Sequence, residues 1–240
     1  MPRIWVSSTE LDGPSVDLQG EAHRYLARVL RLQSGDAVDL FDGRGLEVAA
    51  TVARVGPRDM TLTLGERRRM PIPEAPPVTL LQGLPRAERM DLIVQKATEL
   101  GAARVVPVRT ARSAAGQQAR PERWERIARE AARQCGRAEL LPIAPLLSLA
   151  EAIAGLTAGG TRVVPWEEAP GAQPLHALVP PHPSAVAVLI GPEGGLTREE
   201  VARATEAGFQ IATLGPRILR TETAAIAALA AIQSRVGGLG

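Results

Sequence analysis

The spacing of hydrophobic positions in residues 1–70 predicts a small β domain. Apolar and polar residues alternate there in short runs, as they do in strands with one buried face. The predicted strands are Arg3–Ser7, Ala37–Phe41, Leu46–Val55 and Met60–Leu64. A helix is predicted over Glu21–Leu32, where apolar residues recur at helical spacing. Its apolar face comprises Tyr25, Leu26, Val29 and Leu30. Several short strands with one helix favour a small β-barrel.

A proline-rich linker is predicted between this domain and the rest of the chain. Residues 71–77 contain four prolines, which exclude a helix or a sheet interior. Over residues 78–240 strands and helices alternate, and this predicts an α/β domain with a mainly parallel sheet. The predicted strands are Val78–Gln82, Arg104–Val108, Thr161–Val164, Ala185–Ile190 and Phe209–Leu214. The predicted helices are Arg89–Leu100, Pro121–Arg137, Leu149–Leu156, Arg198–Ala207 and Glu222–Val236.

Two of these strands end at glycine and proline, where the backbone can turn sharply and approach a ligand closely. Ala185–Ile190 runs into Gly191 and Pro192, and Phe209–Leu214 runs into Gly215 and Pro216. We expect the two strands to be adjacent in the sheet, so that their ends form a crevice of the kind that binds ligands in α/β proteins. After the first loop, a threonine followed three residues later by a glutamate predicts a helix start with a capping box.

The charge of the chain is balanced overall but uneven along its length. The formal net charge is +2, too small to establish a polyanionic partner. Between Arg104 and Arg137, however, there are nine arginines and three acidic residues. A basic segment of this kind suits an RNA-binding surface, and a solvated helix face is the alternative.

Composition excludes several classes of protein. The single cysteine, Cys135, rules out a disulfide within the chain, and the three scattered histidines predict no metal site. No run of about 18 apolar residues could span a membrane, and the N-terminus lacks an apolar signal segment. We therefore expect a cytoplasmic protein that has no membrane partner.

Several motifs, in order along nearly the whole chain, resemble the 16S ribosomal RNA (uracil-N3) methyltransferase family of the SPOUT superfamily. The resemblance is carried by IGPEGG at Ile190–Gly195, LGPRILRTETA at Leu214–Ala224, QKATELG at Gln95–Gly101, and His23 with VLR at Val29–Arg31. It implies a C-terminal α/β trefoil-knot methyltransferase domain and an N-terminal PUA-like β-barrel that binds RNA. It also implies S-adenosylmethionine as methyl donor, 16S rRNA in the small ribosomal subunit as substrate, and a homodimer formed by the catalytic domain.

The same resemblance indicates the donor-binding residues, which lie in and around the two glycine loops. They are Glu167, Ile190, Gly191, Pro192, Glu193, Gly194, Gly195, Leu214, Gly215, Ile218, Leu219 and Thr223. Backbone groups of the loops could form hydrogen bonds with adenine and ribose, and Glu167 or Glu168 could accept hydrogen bonds from the ribose hydroxyls. The alternatives are an exposed loop carboxylate at these glutamates and helix capping by Thr221 or Thr223.

Methylation at uracil N3 requires loss of the imide proton, so the catalytic candidates are charged residues. Arg220 is predicted to stabilise the uridinate charge, with Arg217 as second candidate and a structural salt bridge as the alternative. Glu222 is a candidate general base, although a glutamate in a first helical turn also favours the helix dipole.

Phosphate contacts are predicted for four arginines. Arg24, Arg28 and Arg31 recur at helical spacing in the N-terminal domain, and Arg112 lies in the loop of residues 110–116. A solvated helix face is the alternative for the first three. Lys96 and Glu99 are three residues apart and predict an ion pair.

The final helix is apolar nearly all round, so it is buried within its own domain or against a second subunit.

Two other functions would use part of these features. An RNA-binding module would need the basic segment and the barrel but not the glycine loops. Another SPOUT enzyme, acting on a transfer RNA base or a ribose hydroxyl, would share the donor loops.

Overall fold

The computed structural model describes residues 1–71, 74–113 and 118–239. The chain forms two compact units, Met1–Ile72 with Ala132–Leu140, and Pro73–Ala131 with Leu141–Gly240. Ile72 and Pro73 of the predicted linker lie outside the described residues, as do residues 114–116 of the predicted basic loop.

The first unit contains a five-stranded sheet. Its strands are β1 (Arg3–Trp5), β2 (Ser15–Gln19), β3 (Ala37–Phe41), β4 (Leu46–Val55) and β5 (Asp59–Arg69). They follow the order β1-β3-β4-β5-β2, and only the β1–β3 pair among them is parallel. The four predicted strands are confirmed. Sequence reasoning missed β2, whose buried Val16 and Leu18 alternate with exposed residues in the period of a strand.

The predicted helix of this unit has two parts, α1 (Gly20–His23) and a π-helical turn over Arg24–Val29. In the π-helical turn the Leu30 N–H donates to the Tyr25 carbonyl at 3.0 Å, five residues back. This wider turn changes the angle between successive side chains. Leu26 is fully buried as predicted, but Val29 is 67% exposed, so its predicted place on the apolar face is wrong.

Arg24, Arg28 and Arg31 are all exposed on the first unit, together with Val29. Arg31 has a left-handed backbone, with φ of 56°. The chain therefore changes direction directly after the π-helical turn. Arg31 follows Arg24 and Arg28 in sequence but does not belong to the helix.

The segment Ala132–Leu140 is attached to the first unit by side chains of that unit. Arg3 Nη1 donates to the carbonyl oxygens of Ala132 and Arg137, both at 2.9 Å. The Tyr25 hydroxyl accepts from Arg133 Nη1 at 2.6 Å. Cutting the chain at the linker would remove these partners, so point substitutions test the units more cleanly than truncation does.

The second unit contains a seven-stranded sheet in which every pairing is parallel. Its strands are β6 (Val78–Gly83), β7 (Arg104–Arg109), β8 (Leu147–Ser148), β9 (Thr161–Pro165), β10 (Gln173–Pro174), β11 (Val186–Ile190) and β12 (Gln210–Thr213). Its helices are α2 (Ala87–Glu99), α3 (Pro121–Cys135, which ends in the first unit), α4 (Leu149–Ala154), α5 (Leu175–Leu178), α6 (Arg198–Glu206) and α7 (Thr221–Val236). The predicted α/β class is confirmed, and each predicted strand and helix is present with shifts of a few residues at its ends.

The strand order is β10-β12-β9-β11-β6-β7-β8. Strand β9 therefore lies between β11 and β12, and the prediction that the two glycine-ended strands are adjacent is wrong. The connections between consecutive strands decide which strands pair, and no local sequence pattern predicts how those connections run. The threading of the C-terminal segment, and with it the trefoil knot, stays a prediction.

Both faces of this sheet are covered by apolar side chains, because successive strand residues point to opposite sides. Val186 and Val188 belong to a core cluster with residues of α2, α3, α5 and α7. Ala187 and Leu189 belong to another cluster, with residues of α4 and α6. This double burial explains the unbroken apolar run of β11.

Local signals at the helix ends are also confirmed. Gly101 and Gly208 follow helices with φ of +73° and +86°, the left-handed conformation that glycine adopts most readily. At the start of α6, Thr197 Oγ1 accepts from the Glu200 N–H at 3.2 Å, while Glu200 Oε2 accepts from the Thr197 N–H at 2.9 Å. Across the described ranges, no helix has both the length and the apolar character needed to cross a membrane.

Candidate active site

Three loops of the second unit meet at the carboxyl edge of the sheet, after β9, β11 and β12. These neighbouring parallel strands all end at one edge, so their loops lie side by side. They surround a cavity of about 370 Å³, within the range of small-molecule sites. The predicted donor residues that line it are Glu167, Ile190, Gly191, Pro192, Glu193, Gly195, Leu214, Gly215, Ile218 and Leu219. Gly194 and Thr223 lie outside this lining.

The loop after β11 makes a tight turn at Gly191 and Gly195. A Cβ at Gly191 would lie 2.9 Å from the Gly195 carbonyl carbon and 3.0 Å from the Leu196 nitrogen. The Gly195 N–H donates to the Pro192 carbonyl at 2.9 Å, and Gly195 has φ of +72°. Glycine at positions 191 and 195 is therefore required by a tight backbone turn at the cavity wall.

The loop after β12 presents both backbone and side chains to the cavity. Gly215 has φ of +108°, and its N–H donates to Thr213 Oγ1 at 3.1 Å. Leu219 is half-buried, whereas Ile218 lines the cavity with 85% of its surface exposed. Ile218 thus lies at the open side of the cavity, and it would become covered only when a ligand or partner is bound.

The loop after β9 distinguishes two glutamates that sequence reasoning left as alternatives. Glu167 lines the cavity, and its Oε1 would lie 2.9 Å from a Cβ placed on Gly195. Glu168 instead pairs with Arg198, with 3.1 Å between Oε2 and Nε. Trp166 also lines the cavity, and its backbone N–H donates to the Ala212 carbonyl at 3.1 Å. Of the two glutamates, Glu167 is the one placed to meet a ligand.

Thr221 connects three segments of the site and does not cap its helix. Its Oγ1 donates to the Gly191 carbonyl at 2.6 Å and accepts from Gln82 Nε2 at 3.0 Å. The N-cap of α7 is Arg220, which makes no side-chain capping bond. Helix capping by Thr221, one of the alternatives that the sequence left open, is therefore wrong: the buried threonine attaches the start of α7 to the glycine loop and to the end of β6.

We expect Thr221→Val to destabilise the second unit and to weaken donor binding. Valine keeps the shape but leaves the Gly191 carbonyl and the Gln82 amide without this buried partner, at a cost of about 1–3 kcal/mol. Denaturant unfolding and donor titration by calorimetry would measure the two effects. Thr221→Ser keeps the hydroxyl and should retain most of the stability, so an equal loss in both variants would contradict the role of the hydrogen bonds.

Arg220 lies at the cavity edge with its side chain exposed. Among residues 1–71, 74–113 and 118–239 it has no ion-pair partner, so the structure does not support the alternative of a structural salt bridge. Arg217 also lines the cavity. A guanidinium without a carboxylate partner can give its full charge to an anionic substrate. The catalytic role of Arg220 stays a prediction.

Arg89 lines the same cavity, although sequence reasoning did not identify it. Its Nη1 lies 3.2 Å from Glu193 Oε1, and its Nε lies 3.8 Å from Glu222 Oε2. Glu222 is not part of the lining and keeps 14% of its side chain exposed. Its role as general base stays a prediction. No motif marks Arg89, because it reaches the site only through the pairing of β6 with β11.

Arg112, predicted to contact phosphate, bonds to the glycine loop. Its Nη1 donates to the Gly194 carbonyl at 2.8 Å, and a Cβ on Gly194 would lie 3.0 Å from Arg112 Cβ. The neighbouring Ala111 N–H donates to Glu200 Oε1 at 2.7 Å. Arg112 remains exposed, so one guanidinium borders both the solvent and the back of the glycine loop.

On the helix that precedes β7, the predicted pair of Lys96 and Glu99 is confirmed, with 2.8 Å between Nζ and Oε2. Within the described part of the chain, no cluster of three or more His, Cys, Asp or Glu side chains could hold a metal ion. The polar groups that line the cavity include backbone amides, carboxylates and guanidinium groups.

Comparisons with known proteins agree with this geometry. Residues 73–233 match the model of an RNA methyltransferase domain, and residues 18–64 match that of an RNA methyltransferase PUA domain. The ribosomal RNA small subunit methyltransferase E of Bacillus subtilis is 32% identical over 97% of this chain and 96% of its own length.

Solved structures give the same relationship. A ribosomal RNA small subunit methyltransferase E from Neisseria gonorrhoeae, bound to S-adenosyl methionine, has a TM-score of 0.88 at 32% identity, with 98% of this chain and 97% of that chain covered. A probable rRNA methyltransferase from Porphyromonas gingivalis has a TM-score of 0.89 at 26% identity over all of both chains. The chain therefore belongs to the RNA methyltransferase family that includes the ribosomal RNA small subunit methyltransferases E.

Proposed function

We propose that this protein transfers the methyl group of S-adenosylmethionine to N3 of a uridine in 16S rRNA. The observation that carries the proposal is the cavity of about 370 Å³ between three loops, with the guanidinium of Arg220 at its edge and no ion-pair partner for it among the described residues. Relatives that match almost the whole chain are methyltransferases of small-subunit ribosomal RNA, and one of them binds S-adenosyl methionine.

The residues present fit this donor. The glycine loop after β11 brings backbone groups to the cavity wall, where a Cβ at Gly191 or Gly195 would meet other atoms within 3 Å. Leu219 and Trp166 supply apolar surface, and Glu167 supplies a carboxylate that could accept hydrogen bonds from the ribose hydroxyl groups. When bound, the sulfonium group supplies an electrophilic methyl group.

The chain's own contribution to the chemistry is electrostatic and positional. The uracil N3 must lose its imide proton, and Arg220 would stabilise the negative charge that develops on the ring. Glu222 would reach that proton only if substrate binding exposed its carboxylate, which is mostly buried beside Arg89. Thr221 fixes the backbone that connects Arg220 to the glycine loop.

Analysis of methylated nucleosides tests the function directly. Purified protein with labelled donor would be incubated with naked 16S rRNA and, separately, with small ribosomal subunits from a strain that lacks the enzyme. We expect 3-methyluridine at one position in at least one of the two substrates. Label found only in another nucleoside or on a ribose hydroxyl would refute the assignment, as would RNA binding without any transfer.

The exposed arginines of the first unit are proposed to contact RNA phosphates. We expect the triple variant Arg24→Gln, Arg28→Gln, Arg31→Asn to weaken RNA binding and to reduce the slope of log affinity against log salt by about 2–3, as expected if three phosphate contacts are lost. Asparagine tolerates the left-handed backbone at position 31. Salt titrations of RNA binding would measure the slope. Arg58→Gln removes another exposed arginine of this unit and serves as the control; equal slopes in the two variants would exclude the patch.

A homodimer through α7 is proposed because that helix keeps an apolar side that its own unit only half covers. Ala225, Ala228, Leu229 and Ile232 are buried in the core, whereas Ile226, Ala227 and Ala230 remain half-buried. We expect Ala227→Glu to convert the protein to monomers, since a carboxylate in an apolar interface loses its hydration. Light scattering would measure the mass, with Ala202→Glu on the exposed side of α6 as control. A wild-type monomer, or an unchanged mass for Ala227→Glu, would contradict this interface.

A further inference from the structure

Arg89 forms a bridge between two segments that the proposed reaction uses separately. Arg89 lies in the first turn of α2. Its guanidinium pairs with Glu193 of the glycine loop through Nη1, and its Nε faces Glu222 in the first turn of α7. The side chains of Arg89, Glu193 and Glu222 are 32%, 25% and 14% exposed, so the bridge is partly protected from water.

On the side of the glycine loop, Glu193 contacts two residues at the start of α2. Its Oε1 accepts from the Arg86 N–H at 2.9 Å and pairs with Arg89 Nη1 at 3.2 Å. Arg86 is the N-cap residue of α2 and makes no side-chain capping bond. The Glu193 carboxylate therefore accepts a hydrogen bond at the N-terminus of α2, where the helix dipole favours a negative charge, and this attaches the glycine loop to α2.

On the side of α7, Glu222 depends on Arg89 for charge compensation. Its Oε2 is buried and has no hydrogen-bond partner among the described residues, and Arg89 Nε lies 3.8 Å from it. A buried carboxylate that loses its cation is strongly unfavourable, so the side chain and its helical turn would rearrange. Arg220 lies two residues before Glu222 and would move with that turn.

We propose that Arg89 is a positioning residue that holds the glycine loop and the start of α7 in one arrangement, so that donor affinity and methyl transfer depend on the same guanidinium. The part that concerns transfer rests on the proposed function. A guanidinium can pair with two carboxylates through different nitrogens, whereas the single ammonium of a lysine can pair closely with only one of them in this arrangement.

The first measurement needs no RNA. Donor affinity would be determined by calorimetry with S-adenosylmethionine for Arg89→Ala, Glu193→Gln and the double variant. We expect each single variant to bind roughly tenfold more weakly and the double variant to be little weaker than either, because coupled residues do not give additive effects. Unchanged affinity for Arg89→Ala, or losses that multiply in the double variant, would overturn the role in the glycine loop.

The second measurement is single-turnover transfer of labelled methyl groups to total ribosomal RNA at saturating donor. We expect Arg89→Ala to be slower by roughly 30-fold or more, since small misplacements of reacting groups have effects of this size. Arg89→Lys should recover most of the donor affinity through Glu193 but little of the rate. The double variant Arg89→Ala, Glu222→Gln should be no slower than the slower single variant; rate losses that multiply would overturn the link to α7.

Arg162→Ala is the matched control, because it removes an arginine of the same unit that bonds the Ala207 carbonyl at 2.7 Å, away from the cavity. Thermal unfolding would establish that each variant is folded. If Arg89→Ala is not folded, Arg89→Lys tests both the role in donor affinity and the role in methyl transfer. Total incorporation of label does not depend on which nucleotide is modified. If the label lies elsewhere than uridine N3, the proposed function fails while both measurements on Arg89 still decide its role.

Discussion

Replacing Arg220 by alanine should reduce methyl transfer by about 100-fold or more, while donor affinity changes little. This is the size of effect expected when one preorganised charge stabiliser is removed from a transition state. The reason is geometric: Arg220 lies at the cavity edge and has no carboxylate partner among the described residues. Its charge is therefore available to the uridinate. Single-turnover transfer and donor calorimetry on the same preparation would measure the two quantities.

Two further variants make this result specific. Arg220→Lys keeps the charge but not the planar fork, so we expect it to recover part of the rate. Arg217→Ala removes the neighbouring guanidinium that also lines the cavity, and we expect a smaller loss. If Arg220→Ala weakens donor binding as much as it slows transfer, Arg220 holds the donor and has no special part in the transition state.

The sequence predicted the glycine loops well because local geometry requires their residues. Gly191 and Gly195 are positions where a Cβ would meet neighbouring atoms, and such requirements leave a visible motif. The alternation of strands and helices in the second unit was also predictable, since a sheet buried on both faces gives unbroken apolar runs.

Residues that act through tertiary pairing left no such signal. Arg89 comes to the cavity because β6 pairs with β11, and Trp166 comes to it because β9 lies between β11 and β12. Glu167 reaches the cavity in the same way, and only the family resemblance predicted it. Strand order is decided by the packing of the whole unit. Likewise, helical spacing placed Val29 on an apolar face, but one wider π-helical turn exposes it.

Gly194 shows that one motif can hold glycines with different roles. A Cβ there would lie 3.0 Å from Arg112 Cβ, so the segment that carries Arg112 would have to shift slightly, and Gly194 is outside the cavity lining. At Gly191 the atoms in the way belong to the backbone of Gly195 and Leu196, which cannot move without opening the turn. The two glycines should therefore differ in their sensitivity to substitution, although both stand in the same GPEGG sequence.

We expect Gly191→Ala to reduce donor affinity by more than about 100-fold. A Cβ at 2.9 Å from backbone would displace the loop that forms one wall of the cavity, and the backbone groups proposed to bind the donor would no longer converge. The same displacement would strain the hydrogen bond from Thr221 to the Gly191 carbonyl. Donor titration by calorimetry, with circular dichroism to establish folding, measures the effect.

The outcome can be separated from a general effect of adding a methyl group. Gly155→Ala places its Cβ at an ordinary contact distance of 3.5 Å in the same unit, so it should bind the donor as the wild type does. Gly194→Ala should give an intermediate loss, because the segment that carries Arg112 must shift slightly while the loop's own turn can stay closed. Near-native affinity for Gly191→Ala in a folded protein would remove this loop from the donor site. Equal losses for Gly191→Ala and Gly194→Ala would instead show that the loop moves as a whole, and that the close backbone contact at Gly191 has no special importance.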